Sequence, residues 1–440
     1  MIEELFTEVA REHPRCVWLD GGGGREWSGR RSLLGWLEPS DVSLTYSATR
    51  GEVLRHAEGR SEVVGDDIWT VLEREVATGG QWFGYLGYAC RADLPAAPSA
   101  ELPDAVWMRP SRVRMVEHEG LDTPSLVPRE GYSTSEGRWA SASEGRWSRR
   151  ASASEPVSRP PHAYRSAFAA VQEALHAGDT YEANLTYRLT ADADRDPAET
   201  YLRLRRTNPA PYAGFLQHDV LGAGAWLLSS SPERYALVDA DGGIETRPIK
   251  GTTPRADDPD EDAENARRLA EDPKFRSENL MIVDLLRNDL SMVCEPGTVT
   301  VPDLMRVESY ASVHQLVSTV RGRLRTDVGT VRALRALFPA GSMTGAPKLR
   351  TMELVDRVET TPRGAYAGAF GWISADGPAD LGVVIRTLTS PDGRHWTLGT
   401  GGGITVRSDV DEEYAESRWK AERLLAALGV DSDRDDGMAG

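Results

Sequence analysis

The 440-residue chain is long enough for one large composite domain or for two to three smaller ones. Its 40% hydrophobic and 27% charged content is that of an ordinary globular protein. A net charge of −17 argues against a nucleic-acid or anionic-membrane surface, so neither partner is expected.

An anionic substrate would instead need a local positive field made by a metal ion, an Arg or backbone amides. Three scattered cysteines, Cys16, Cys90 and Cys294, suit neither a disulfide framework nor a zinc site and are in keeping with a reducing cytoplasm. The opening Met1-Ile2-Glu3-Glu4-Leu5 has acids where a secretion signal needs base, and no apolar run is long enough to span a bilayer.

Residues 1–127 read as a strand-rich region. Val17-Trp18-Leu19-Asp20 runs into the Gly21–Gly24 turn, and the aromatic, glycine-punctuated Gln81–Tyr88 suggests a buried strand with close backbone approach. Residues 128–161 are of low complexity. There Ser135-Glu136-Gly137-Arg138-Trp139 recurs as Ser143-Glu144-Gly145-Arg146-Trp147, which reads as a flexible surface insertion, a basic binding segment being the alternative. Residues 162–428 alternate helix and strand, and 429–440 read as a disordered tail. Helices are expected at Tyr164–Ala177, Ala263–Ala270, Ser277–Asp289, 330–337, 347–356 and 411–427. Strands are expected at Tyr181–Leu189, Val313–Val320, Ala367–Ser374, Leu381–Leu388 and Trp396–Leu398.

Several segments could carry chemistry. Lys250 stands between Pro248 and Gly251-Thr252, a tight segment that can aim its amine; an aimed, desolvated amine is a nucleophile, whereas a solvated one is a surface charge. Helix Ser277–Asp289, apolar nearly all round, carries Glu278, Asp284, Arg287, Asn288 and Asp289, either an ion-pair network or a site. Glu413, Glu416 and Lys420 share one helix face, as an exposed ion pair or as carboxylates for Mg²⁺. Gly399–Gly403, just after a strand, could form an amide nest for a carboxylate. Ser342 and Lys348, in a glycine-rich segment at a helix start, would suit a small anion. Arg386 lies within an apolar strand, where a buried Arg implies a fixed carboxylate partner. Glu233 could be a general acid or a surface partner of Arg234. There is no Gly-x-Ser-x-Gly elbow, no transition-metal spacing, and no Cys in a setting for glutamine hydrolysis.

Between about Tyr164 and Leu425 the chain resembles the chorismate-utilising enzyme family. The ordered motifs are Gly178–Leu185, Ser231-Pro232-Glu233-Arg234, Pro248–Thr252, Ser277–Asp289, Val313–Ser318, Gly345-Ala346-Pro347-Lys348 and Gly401–Ile404. The resemblance implies an α/β composite two-sheet sandwich with helices on the outside. Within it, Lys in a Pro-Ile-Lys-Gly-Thr run resembles the aminodeoxychorismate synthase component I branch. The anthranilate branch usually has Ala there, and isochorismate and salicylate synthases place a Lys where this chain has Glu182.

The roles implied are Lys250 as covalent nucleophile at C2 and Glu233 as general acid. Glu278, Glu413 and Glu416 would hold Mg²⁺. Arg386, Gly401, Gly402, Gly403 and Lys420 would hold carboxylates, and Thr252, Arg287, Gln315 and Ser342 would line the substrate site. Chorismate and ammonia would be the substrates, with a separate glutamine amidotransferase supplying ammonia. The chain departs from the family pattern at Gln315 (often His, with His314 here one residue earlier), Glu182 (usually Gln) and Trp372 (often Tyr). Alternatives are anthranilate formation, an isochorismate- or salicylate-forming enzyme, and a chorismate-binding regulatory subunit without turnover.

Overall fold

The computed structural model describes residues 2–21, 31–118, 159–310 and 313–430. Both copies of the Ser-Glu-Gly-Arg-Trp repeat and the last ten residues lie outside them, so the insertion and tail readings concern residues not described.

Two large sheets face one another, and every pairing within them is antiparallel among the described residues. In the nine-stranded sheet, Gly345–Ala346 lies at one edge, followed by Glu182–Asp192, His395–Ile404, Thr387–Ser390, Ala225–Ser231, Tyr212–His218, Arg15–Asp20, Arg31–Trp36 and Arg112–Glu117. The twelve-stranded sheet begins with Ile249–Pro254, Val313–Arg323, Gly243–Arg247 and Arg234–Val238, continues through Ala379–Val383, Ala369–Ser374 and Gln81–Leu86, and ends with four strands from the first 108 residues. Thr300–Ser309 pairs with Val313–Arg323 off this path. Each sheet thus joins a block of strands from after the insertion to a block from before it, at Tyr212–His218 against Arg15–Asp20 in one and Ala369–Ser374 against Gln81–Leu86 in the other.

Alternating side chains explain the layers. Val17, Leu216 and Leu227 of one sheet meet Phe83, Tyr85, Val106 and Phe370 of the other in a shared inner core. The outer faces are covered by helices. Ile68–Val76, Pro273–Ser291 and Thr330–Leu337 pack on the larger sheet. Ile2–Glu12, His162–Ala177, Pro197–Thr207 and Val410–Leu428 pack on the smaller one. This is the expected sandwich with outer helices. The glycine-punctuated Gln81–Leu86 strand needs its small residues: a Cβ at Gly84 would lie 2.0 Å from the Val106 carbonyl oxygen.

Three element readings are corrected. Leu381–Leu388 is two strands, Ala379–Val383 and Thr387–Ser390, broken at Arg386, whose φ is +49°. The glycine run does not follow a strand; it lies inside strand His395–Ile404, in register with Glu182–Asp192 throughout. The helix expected at Ser277–Asp289 runs from Pro273 to Ser291, started by Asp272, whose carboxylate accepts from the Lys274 and Phe275 amides. It is not apolar all round. Glu278, Ile282, Leu286 and Asp289 face inward, while Leu280, Asp284 and Arg287 are exposed.

Candidate active site

A pocket is lined by strands Ile249–Pro254 and His395–Ile404 and by helices Pro273–Ser291 and Val410–Leu428. The sheet explains part of it. Thr387–Ser390 pairs with the His395–Ile404 strand only at Thr397 and Leu398, so from Gly399 onward that strand has a partner on one edge and an open edge on the other. Gly401, Gly402 and Gly403 line the pocket. Their lack of side chains keeps that wall open: a Cβ at Gly403 would lie 2.5 Å from Glu182 Oε1 and 3.0 Å from Lys250 Nζ.

Lys250 is 8% exposed, and its amine is ion-paired with Glu182, itself 1% exposed. Burial pushes the amine's pKa down, but Glu182, then Glu278 and Glu233, override it and hold the amine above the ordinary lysine range. The lysine is therefore an ammonium until its proton is passed on. Glu233 is buried, and the Ser342 hydroxyl donates to its Oε1 at 2.6 Å. Burial raises this carboxyl to about 7, against the opposing pull of Ser342 and Lys250. Glu233 does not pair with Arg234, whose guanidinium is buried against Glu245.

The acidic helix faces converge. Glu413 accepts from Lys274 Nζ and from the Ser408 hydroxyl, each at 2.7 Å. Glu416 pairs with Lys420 at 2.9 Å, and Lys420 Nζ also donates to the Gly401 carbonyl at 3.1 Å. Glu278 Oε1 is buried without a hydrogen-bond partner, and burial, with Glu182 and Glu413 nearby, lifts its carboxyl to about 8. Among the described residues no three such side chains form a ready-made metal cage. A Mg²⁺ site needs only one or two carboxylates, with water and substrate oxygens completing the shell. The orphaned Glu278 oxygen and the lining Glu416 fit that donor set.

Most expected site residues meet here: Thr252, Gln315, Ser342, Arg386 and Lys420 line the same pocket as Lys250 and Glu233. Burial, then the nearby Arg423, lowers the Arg386 guanidinium to about 10 against the opposing pull of Glu233 and Glu416. Arg287 is a correction: it is exposed, outside the pocket, and donates to Asp284 at 3.3 Å. Lys348 is another. Its amine is held by Asp289 at 2.5 Å and by the Leu337 and Pro339 carbonyls at 2.9 and 3.0 Å, a clamp on the preceding loop with no free donor role for an anion. His314 is tied to Ser309 and Asp262 at 2.8 and 3.0 Å, away from the pocket wall. Sequence reasoning missed Lys274, Asn184 and Tyr366 on the wall. For Lys274, the Asp272-Pro273 helix start was an available signal.

A family model described as chorismate binding enzyme matches residues 14–426. The aminodeoxychorismate synthase of Streptomyces pristinaespiralis is 39% identical over 97% of this chain and 63% of that protein, so the chain spans under two thirds of that relative's length. Anthranilate synthase component 1 of Streptomyces coelicolor is 38% identical over 88% of this chain and 82% of that protein. The solved anthranilate synthase component I from Streptococcus pneumoniae superposes with a TM-score of 0.69 at 24% identity, covering 92% and 93% of the two chains. That likeness bears on the fold.

Proposed function

This chain belongs to the chorismate binding enzyme family, and on that premise we propose that it aminates chorismate at C4, giving 4-amino-4-deoxychorismate through a transient bond to Lys250. The observation that carries the reading is a buried, charged amine on the same pocket wall as a carboxyl raised to about 7. Likeness to a protein named aminodeoxychorismate synthase over 97% of the chain supports it.

The chemistry divides one same-position substitution into two allylic displacements. Lys250, once deprotonated, attacks C2 as the C4–O bond breaks; Glu233 gives its proton to the departing oxygen, which leaves as water. Ammonia then attacks C4, and the C2–N electron pair returns to Lys250. The ammonium formed at C4 gives a proton to Glu233, restoring the acid. Arg386, Lys420 and the open edge at Gly401–Gly403 suit the two carboxylates of the substrate. Thr252 and Gln315, register partners on adjacent strands, and Ser342 border the ring. Glu278 and Glu416, with Glu413 behind, would hold Mg²⁺, which supplies charge neutralisation of a substrate carboxylate when bound.

Ammonia would come from a separate glutamine amidotransferase. Cys16, Cys90 and Cys294 are buried and unbridged, and burial pushes all three thiols up, Cys294 to about 11, which leaves no thiolate for glutamine hydrolysis at neutral pH. The "component 1" in the name of the Streptomyces coelicolor relative agrees with a two-subunit arrangement. No described helix is long and apolar enough to cross a membrane.

Likeness to that same relative favours a second reading, amination at C2 with loss of pyruvate. Purified protein with chorismate, Mg²⁺ and an ammonium salt separates the two. The C4 reading expects 4-amino-4-deoxychorismate by mass and no anthranilate fluorescence; fluorescence without the C4 product would overturn it.

A further inference from the structure

Among the described residues Lys250 has one ion-pair partner, Glu182, and that partner is not on the pocket wall. Glu182 begins strand Glu182–Asp192, against Ala346 of the edge strand, and lies behind the lysine. Its Oε1 takes the Lys250 amine, while its Oε2 is buried without a hydrogen-bond partner among the described residues. A buried pair with one carboxylate oxygen unsatisfied is a poor stabilising device, because desolvating both charges offsets most of their attraction. The pair also stands against a stretch of strand without side chains, where a Cβ at Gly403 would lie 2.5 Å from Glu182 Oε1 and 3.0 Å from Lys250 Nζ. The other charges facing Lys250 come from different elements: Glu278 on helix Pro273–Ser291 and Glu233 after strand Ala225–Ser231.

We propose that Glu182 is a positioning residue for Lys250: it holds the amine as an ammonium at the Gly403 wall and is the carboxylate that accepts its proton when the amine becomes a nucleophile. The proposal rests on the covalent Lys250 reading and deepens it. The proton moves from Lys250 Nζ to Glu182 Oε1, leaving a neutral amine and a neutral acid. Rotation about the Cε–Nζ bond then turns the lone pair toward the pocket, the N–C2 bond forms, and the C4–O pair leaves with the proton of Glu233. After ammonia has displaced the lysine, the free amine takes its proton back from Glu182. No further reactant is needed.

The test compares wild type, Glu182→Gln and Glu182→Asp in two assays. One is reductive methylation of Lys250 by formaldehyde and a borane at fixed pH, read by peptide mass spectrometry. The other is steady-state turnover of chorismate with ammonium.

Removing the adjacent negative charge frees the amine, so Glu182→Gln methylates Lys250 about tenfold faster or more. The same variant lacks the proton acceptor, so kcat falls about 100-fold while KM for chorismate stays within about twofold. Glu182→Asp falls between in both assays. Loosening of the fold would also expose Lys250, which is 8% exposed in the native chain, so the opposite movement is read only in a variant that keeps the wild-type urea-unfolding midpoint and KM for chorismate. If both assays are unchanged, or both rise, the proposal is overturned. Should Glu182→Gln fail to fold, Glu182→Asp decides alone: faster labelling with slower turnover supports the role, and wild-type values in both contradict it. If the wild type makes no aminated product, the C4 reading has failed, while the labelling ratio still reports whether Glu182 governs this amine.

Discussion

At the scale of single residues, the site separates an ammonium from an acid that is half ionised near neutrality. In the proposed role Glu233 has to be protonated to assist the departing hydroxyl, and with its carboxyl raised to about 7 it is protonated below that pH and ionised above it. The kcat profile should therefore fall on the alkaline side from about pH 7. Glu233→Gln should lose about 10²- to 10⁴-fold in kcat and the limb with it; an unchanged alkaline limb in that variant would assign the ionisation elsewhere. The residue pattern was partly legible. Lys250 between Pro248 and Gly251 reads as an aimed amine, whereas Glu233 stays open between a general acid and a surface partner of Arg234. Their partners did not show, because Glu182 and Ser342 lie 68 and 109 positions away and only the fold brings them within reach.

At the scale of elements, helical geometry accounts for what was and was not read. Glu413, Glu416 and Lys420, at i, i+3 and i+7, share one face and all line the pocket. Glu278 and Arg287 are nine positions apart, which turns one about 180° from the other, so when Glu278 faces in Arg287 must face out. The family resemblance implies Arg287 as a lining residue of the substrate site, and that angle is why it is not one. The glycine run was recognised as something that lets a ligand close to backbone, yet its place inside a long strand was hidden, because glycine is a poor strand former and the strand exists through its pairing with Glu182–Asp192.

Two expectations belong here. Gly403→Ala should fold but lose most turnover, since the new methyl displaces the Glu182–Lys250 pair; wild-type kcat would show that the pair tolerates movement. Asp289→Ala leaves the Lys348 ammonium buried and unpaired, a loss of about 3–5 kcal/mol in urea unfolding. A change under about 1 kcal/mol would mean that the two carbonyls suffice to hold Lys348.

At the scale of the whole molecule, the alternation of helix and strand after residue 162 signalled a mixed fold, while strand order stayed out of reach. Antiparallel neighbours such as Arg15–Asp20 and Tyr212–His218 are far apart in sequence, and nothing local encodes their pairing. The pocket depends on that long-range order: its walls come from both sheets and its roof from two helices packed on opposite outer faces. With a separate amidotransferase as the nitrogen supplier, turnover should proceed with ammonium salts and fail with glutamine until that protein is added; glutamine-supported turnover by the purified chain would remove the need for it. All of this turns on whether Lys250 bonds to the substrate ring. An acid-quenched mixture of protein, Mg²⁺ and chorismate without ammonia, analysed by intact-protein and peptide mass spectrometry, should carry dehydrated chorismate on Lys250 and nowhere else. No adduct under any quench, together with undiminished C4 amination by Lys250→Ala, would contradict the covalent account.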